Sequence, residues 1–371
     1  MFDNKNPLLY PLSLVYGMVT GIRNFLYSAG VFKSYSFDLP VICVGNITMG
    51  GTGKTPHIEY LVHLLKEKYN VAVLSRGYRR KSKGFLIASQ DSAPGEIGDE
   101  PRQIALKFPD IVVALDNDRV RGIRNILDQR PETDLILLDD GFQHRRLSLG
   151  LSILLSDFSR PLSNDNMLPF GSLREDRANS RRADVIIITK TPPGITPIER
   201  RLIIDSTNKF PYQSLFFTSI DYMNPVPVFS GVNSVFNLEW NSFQENGAIL
   251  VTGIANASSL LSHVKRTFSE VIHLNFRDHH DFTEEDINKI REAWKNSVKP
   301  CKYIITTEKD AVRLREFANI ADDLKSAFFY IPIGIEFINN GREEFNKLIN
   351  DYVGKNKRNK GVPDQQGDQK S

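Results

Sequence analysis

The chain has 371 residues, 41% hydrophobic and 25% charged, a globular composition with core enough for two or three structural units rather than that of a disordered chain. A formal net charge of +3 is too small to argue for nucleic acid. The two cysteines, Cys43 and Cys301, lie far apart in apolar runs and read as reduced core residues, which suits a cytosolic setting and excludes a disulfide scaffold.

In chain order, the first feature is the stretch Asn6 to Ile22, seventeen residues without a charge, at the short limit of the roughly 17–25 that cross a bilayer. Pro11, Ser13, Gly17 and Thr20 dilute its apolarity. Leu8, Leu12, Val15, Val19, Ile22 and Leu26 recur at helical spacing, with Tyr10, Tyr16 and Tyr27 among them. That pattern suits a helix lying in a membrane interface, with a spanning anchor or a helix packed on the protein's own core as alternatives. No basic leader or small-residue cleavage site frames it as a signal peptide.

Residues 41–55, VICVGNITMGGTGKT, predict a buried strand, a glycine-rich loop and the start of a helix. Such a loop lets backbone N–H groups of Gly50, Gly51, Thr52 and Gly53 approach phosphate oxygens, and the helix N-terminus adds partial positive charge. Lys54 is placed to reach the β/γ-phosphates and the Thr55 hydroxyl to hold Mg²⁺. The G-x-x-x-x-G-K-[ST] pattern calls for Gly at position 48, where this chain has Thr48.

A helix follows with Ile58, Leu61, Leu64 and Leu65 inward, then the strand 71–75 and a basic loop with Arg79, Arg80, Lys81 and Lys83, either solvated or facing an anionic substrate. Asp99-Glu100-Pro101 opens another helix, either as an N-cap arrangement or with Asp99 as a carboxylate near a γ-phosphate that accepts a hydroxyl proton. The strand Leu135 to Leu138 ends in Asp139-Asp140, the position expected for acids that place Mg²⁺ beside a phosphate loop. Strands at 151–157 and 183–190 flank a long charged loop, of a length that is often functional. Thr189-Lys190 invites comparison with the guanine-reading [NT]-K-x-D motif, but Pro192 stands where the Asp belongs.

Alternating apolar strands and helices predict a parallel α/β sheet covered on both faces. Residues 214–238 turn to strand-like alternation with prolines and read as a hinge. A second α/β unit follows, with Asp278-His279-His280-Asp281 at a strand end, a His pair suited to proton relay rather than to a zinc set. Residues 354–371 are polar and read as disordered.

Eight segments, LLYPLSLVYG, VGNITMGGTGKTP, LSRGYRR, GDEP, LDDGFQHRRL, LPFGSLRE, FRDHHDF and TTEKDAVRL, fall in order between about residues 8 and 314. Together they resemble the tetraacyldisaccharide 4'-kinase family of lipid A biosynthesis, which also lacks the first glycine of the loop pattern. FRDHHDF has Arg277 where the family more often has Pro, and FGSLRE replaces a more usual AGPLRE, a difference that bears on local loop shape.

The resemblance implies a P-loop NTPase-like fold in two unequal lobes joined by a small β linker. The expected bounds are an N-terminal membrane-interface helix at 1–32, a phosphate-loop lobe at 33–213, the linker at 214–238, a smaller α/β lobe at 239–353 and a tail at 354–371. It further implies a kinase that uses ATP and Mg²⁺ to phosphorylate the 4'-hydroxyl of the lipid A disaccharide-1-phosphate at the cytosolic face of the bacterial inner membrane. No nucleic-acid or protein partner is implied. Carried over by residue, Lys54 and Thr55 serve the phosphates and Mg²⁺, and Asp139, Asp140 and Glu175 form the acidic metal-linked set. Asp99 resembles the catalytic base, with His279 as its dyad partner across the lobes. Glu100, His144 and Arg174 lie in matching motifs near the phosphates or the sugar.

Overall fold

Uninterrupted apolar runs form the centres of two sheets in the computed structural model, which describes residues 6–356 apart from 79, 230–244, 298–301, 316, 318 and 319. In chain order the elements are α1 (Tyr10–Ser28), β1 (Val41–Gly45), α2 (Lys54–Leu65), β2 (Val71–Ser75), β3 (Leu86–Ile87), α3 (Pro94–Ile97), α4 (Asp99–Lys107), β4 (Val112–Leu115), α5 (Arg119–Gln129), β5 (Leu135–Asp139), β6 (Leu151–Asp157), β7 (Val185–Thr189), α6 (Pro197–Thr207) and β8 (Ser214–Tyr222). Then come β9 (Val226–Pro227), β10 (Gly247–Thr252), α7 (Ser258–Thr267), β11 (Glu270–Asn275), α8 (Glu284–Asn296), β12 (Lys302–Thr307), α9 (Glu308–Leu314), α10 (Asp322–Ala327), β13 (Phe328–Ile331), β14 (Ile333–Phe337) and α11 (Gly341–Lys355).

The larger sheet has nine strands in the order β14-β8-β7-β6-β1-β5-β2-β4-β3. Its centre is parallel, with β3 and β14 antiparallel at the edges. Strand side chains alternate between faces. Ile42 and Val44 thus pack under α2, α4 and α11, while Val41 and Cys43 pack with α5. Ile58, Leu61 and Leu65 of α2 are essentially fully buried, and each such side chain contributes about 1.5–3 kcal/mol relative to exposure. The smaller sheet, β11-β10-β12-β13-β9, is parallel except for β9. It carries α8 and α9 on one face and α7 on the other.

The lobe boundaries differ from those expected. β8, within the expected 214–238 linker, is an integral strand of the larger sheet, whereas β9 joins the smaller one; residues 230–238 lie outside the described residues. The run FFYIPIGIEF, which reads as one strand, is cut by Pro332, which has no N–H to continue a ladder. β13 stays in the smaller sheet and β14 returns to the larger, pairing with β8. α11 follows it, burying Phe345, Ile349 and Val353 at helical spacing against the first core. The end of the 239–353 range therefore completes the first lobe. Of the expected tail, residues 354–356 close or follow α11 and the rest lie outside the described residues, as do Cys301 and Arg79.

α1 is held to the protein mainly by polar side chains, with Tyr10 edge-on to Phe170. Only Ser13 and Asn24 of this helix are buried, while Leu12, Leu14, Val15, Met18, Val19, Ile22 and Phe25 are exposed. An apolar inner face is thereby set aside, and among the described residues no helix is long and apolar enough to cross a membrane.

Candidate active site

The phosphate loop leaves β1 at the middle of the larger sheet and ends at the N-terminus of α2. A side chain at Gly45 would meet Phe142 Cβ at 2.6 Å, so the loop starts where only a glycine fits. Gly53 adopts φ 85° at the cap of α2, a left-handed conformation that glycine takes without strain. The departure at Thr48 has a local reason. Thr48 pairs with Leu173 in an antiparallel bridge, and Met49 N–H donates to the Ser172 carbonyl at 2.7 Å. The first half of the loop is thus extended and braced from outside, which removes the need for a glycine there. Lys54 Nζ lies 3.4 Å from Asn46 Oδ1 and 3.8 Å from Asp140 Oδ1. Thr52 is fully buried and its hydroxyl has no hydrogen-bond partner.

Asp139 and Asp140 stand beside this loop because Val44 of β1 is the register partner of Asp139 in β5. The chain turns sharply there, with Asp140 at φ 53°. Arg119 of α5, almost fully buried, donates to the carbonyls of Asp116, Asp139 and Asp140 and fixes that turn. Arg174 grips the Asp140 carboxylate with both terminal nitrogens, at 3.0 and 2.9 Å, and donates to the Asn46 carbonyl at 3.0 Å. Burial pushes up the Asp140 carboxyl, but the charges of Lys54 and Arg174 prevail and hold it well below the usual carboxylate range. Asp139 moves the other way. Burial, with Asp140 and Glu100 nearby, pushes it up to about 6 against the pull of Lys54. Its Oδ2 accepts from Ser75 at 3.1 Å, and its buried Oδ1 has no partner.

Other expected residues fall into place unevenly. His144 sits in the turn after β5, pushed down to about 4 by burial and then by Arg119, so the ring is uncharged near neutral pH. Glu175 does not join the acids of β5. It accepts hydrogen bonds from Asn24 of α1 at 3.3 Å and from Arg182, and among the described residues no three His, Cys, Asp or Glu side chains converge as a metal-holding group. The basic loop partly closes on itself, Arg80 donating to the Gly84 carbonyl at 2.6 Å.

Asp99 is the first residue of α4, after Gly98 at φ 91°, and is buried where the two lobes meet. His279 Nδ1 lies 2.9 Å from Asp99 Oδ2. Arg313 of α9 donates from Nε to Oδ1 at 3.0 Å and from a terminal nitrogen to Oδ2 at 2.7 Å. Burial raises the Asp99 carboxyl, but the His279 and Arg313 hydrogen bonds outweigh it and the net shift is downward. Lys309 Nζ lies 3.1 Å from His279 Nε2. An ammonium only donates, so Nε2 accepts and Nδ1 carries the proton given to Asp99. Lys309 also lies 3.8 Å from Glu100.

Four residues of this constellation are not distinguished by the sequence pattern. Lys309 and Arg313 lie within TTEKDAVRL and Asn46 within VGNITMGGTGKTP, so the segments are visible but not these roles. Arg119 reads simply as part of an amphipathic helix. Its near-complete burial in a basic segment has no counterpart in sequence periodicity.

Comparison with known proteins agrees over nearly the whole chain. The family model for LpxK, tetraacyldisaccharide-1-P 4'-kinase, matches residues 5–353. The tetraacyldisaccharide 4'-kinase of Bacteroides thetaiotaomicron is 43% identical over 357 residues, covering 95% of this chain and 94% of the relative. That of Parabacteroides distasonis is 45% identical over 352 residues, covering 94% and 95%. The crystal structure of LpxK from Aquifex aeolicus in complex with ATP, 28% identical, superposes with a TM-score of 0.69 over 93% of this chain and 98% of that one. The chain therefore belongs to the LpxK family, the tetraacyldisaccharide 4'-kinases of lipid A biosynthesis, and is an ATP-binding kinase.

Proposed function

We propose that the chain moves the γ-phosphate of ATP onto the 4'-hydroxyl of a tetraacyldisaccharide 1-phosphate, giving lipid IVA, with Asp99 as the proton acceptor. The observation that carries this reading is the Asp99 carboxylate held across the cleft by His279 and Arg313 of the smaller lobe, on a helix whose next residue, Glu100, is near enough to Asp139 to shift its titration. An acid for the acceptor hydroxyl and the phosphate loop then share one cleft.

The roles follow from physical requirements. Phosphoryl transfer asks for positioning and charge neutralisation more than covalent chemistry. Lys54, the loop N–H groups of Gly50 to Thr55 and the N-terminus of α2 take the phosphates. The unpartnered Asp139 Oδ1 and the strongly ionised Asp140, with the Thr55 hydroxyl, suit a hard divalent cation. When bound there, Mg²⁺ supplies charge neutralisation at the transferring phosphate. Asp99, kept ionised by Arg313, takes the hydroxyl proton late, as the new bond forms. His279 holds Asp99 in orientation and couples it to lobe closure, which keeps water from the γ-phosphate. Glu100, His144 and Arg174 border the same cleft; Arg174 acts through Asp140 and Asn46, and His144, uncharged, is suited to hydrogen-bond a sugar.

With folded protein, labelled ATP and the disaccharide-1-phosphate in mixed micelles, label enters the lipid, and chelating Mg²⁺ with EDTA stops it until Mg²⁺ is restored. Protein that hydrolyses ATP yet leaves the lipid unlabelled overturns this reading in favour of an ATPase.

An acylated substrate does not leave a bilayer cheaply, each buried CH₂ being worth about 0.8 kcal/mol. The exposed apolar side of α1 is the surface we assign to the cytosolic face of the inner membrane, with the helix lying in the interface. Leu14→Ser combined with Met18→Ser and Phe25→Ser should lower co-sedimentation with phospholipid vesicles. Undiminished binding removes α1 from that role.

A further inference from the structure

We propose that the inner side of α1 is a brace for the phosphate loop, and that Tyr16, Arg23 and Asn24 are positioning residues for phosphoryl transfer. The inference rests on the assignment of Lys54 to the phosphates and of Asp140 to the cation, and is independent of what the outer side of α1 touches.

Two arms run from α1 to one residue, Asn46, the first of the phosphate loop after β1. In the first arm, the Tyr16 hydroxyl donates to the Arg174 carbonyl at 3.1 Å, and Asn24 Nδ2 donates to Glu175 Oε2 at 3.3 Å. Arg174 then donates to the Asn46 carbonyl at 3.0 Å, to its side-chain oxygen, and to Asp140. In the second arm, Arg23 donates to the Gln143 carbonyl at 2.7 Å, and Gln143 Nε2 donates to the Asn46 carbonyl at 2.6 Å. Asn46 has no exposed surface, and its side-chain oxygen also faces Lys54.

The chemistry of the contacts argues for more than attachment. A helix that needed only to be held would bury apolar side chains, and this one has many to spare. It buries an amide instead, and sets it against a carboxylate that is 2% exposed. Burying Asn24 and Glu175 is costly unless each meets a partner of fixed geometry, so the pair specifies one seating of the helix. Arg174 and Glu175 are chain neighbours just after the Thr48–Leu173 bridge, and their side chains part to different partners, one to the phosphate loop and one to α1. Gripping the peptide and the second side chain fixes the direction of the first. The entry of the loop, the Lys54 contact and the Asp140 fork thereby depend on how α1 sits.

The test uses the full chain in detergent micelles at saturating lipid. Tyr16→Phe removes one hydroxyl and keeps the ring, and Arg23→Gln removes one charged arm. Each should lower kcat by roughly two- to ten-fold, the effect of one lost hydrogen bond. The double variant should lose about the product of the two or more. ATP affinity measured without lipid should fall in parallel, whereas KM for the lipid and the thermal midpoint should stay near wild type. Asn24→Ala should show the same split and Asn24→Gln should recover part of it. If wild type labels the lipid and the variants match it in kcat and ATP affinity, the brace is wrong. It is equally wrong if the variants change only lipid KM or only the thermal midpoint. If the wild type itself labels no lipid, the acceptor assignment fails, and the loss of ATP affinity still decides the brace.

Discussion

Asp99→Ala should lower kcat by about 10²–10⁴-fold, the range for a positioned general base, with little change in KM for ATP. The substitution removes the only group that His279 and Arg313 both hold across the cleft among the described residues. It also takes the carboxylate from a partly buried guanidinium, leaving Arg313 with the His280 carbonyl and Asp281, so some loss of stability accompanies it. Asp99→Asn helps to separate the two effects, since it keeps the shape and one acceptor oxygen while abolishing proton acceptance. Both variants should be slow in single-turnover transfer of label to lipid, and the alanine variant should melt earlier than the asparagine variant. A kcat equal to wild type in the asparagine variant would remove Asp99 from the role of base. Because Arg313 and His279 hold the Asp99 carboxyl down, its protonation does not set the acid limb of the rate profile.

Lys54→Ala should cost about 10²–10³-fold in kcat/KM, the usual loss when one preorganised donor to a developing charge is removed. A second consequence follows from the local field. Burial raises Asp139 to about 6, and Lys54 is the main influence opposing that rise. Without Lys54 the carboxyl moves further up, so more of it is protonated at neutral pH. A cation binding there must displace that proton. The variant's apparent Mg²⁺ affinity should therefore climb with pH across neutrality, where wild type has already levelled off. Mg²⁺ titrations of ATP binding on both sides of pH 7 measure this. Parallel pH dependence in the two proteins would separate Lys54 from Asp139.

Local patterns carry much of this in the sequence. VICVGNITMGGTGKT becomes β1, loop and α2, and the acids after Leu138 arrive beside it because parallel neighbours bring their C-terminal ends to one edge. The contact between Asp99 and His279 spans 180 positions, and nothing in the spacing points to it; only the family resemblance does. Lys309 and Arg313, which complete that contact, are one helical turn apart on α9, an ordinary pattern for a solvated face. Glu175 reads, through the resemblance, as part of the metal set, with its neighbour Arg174 nearby. The chain bends at these two residues, and there Arg174 reaches Asp140 while Glu175 meets Asn24 of α1 and Arg182. The lobe boundary is hidden for a similarly physical reason. Pro332 divides one apolar run between two sheets, and hydrophobicity alone cannot say which sheet a strand will choose.

The path between the sheets has a mechanical consequence. The smaller lobe leaves the first after β8 and returns at β14, and the two crossings lie side by side, Met223 N–H donating to the Pro332 carbonyl at 3.0 Å. A body joined by one strand can swivel in any direction. Two adjacent strands tied by a hydrogen bond suppress twisting and leave mainly one degree of freedom, a swing about the line through the pair. A swing about that line moves His279, Lys309 and Arg313 as one group, so their orientation relative to one another at Asp99 is kept. The seating of Asp99 against the smaller lobe is governed at a point remote from it, where the chain passes twice through the same gap.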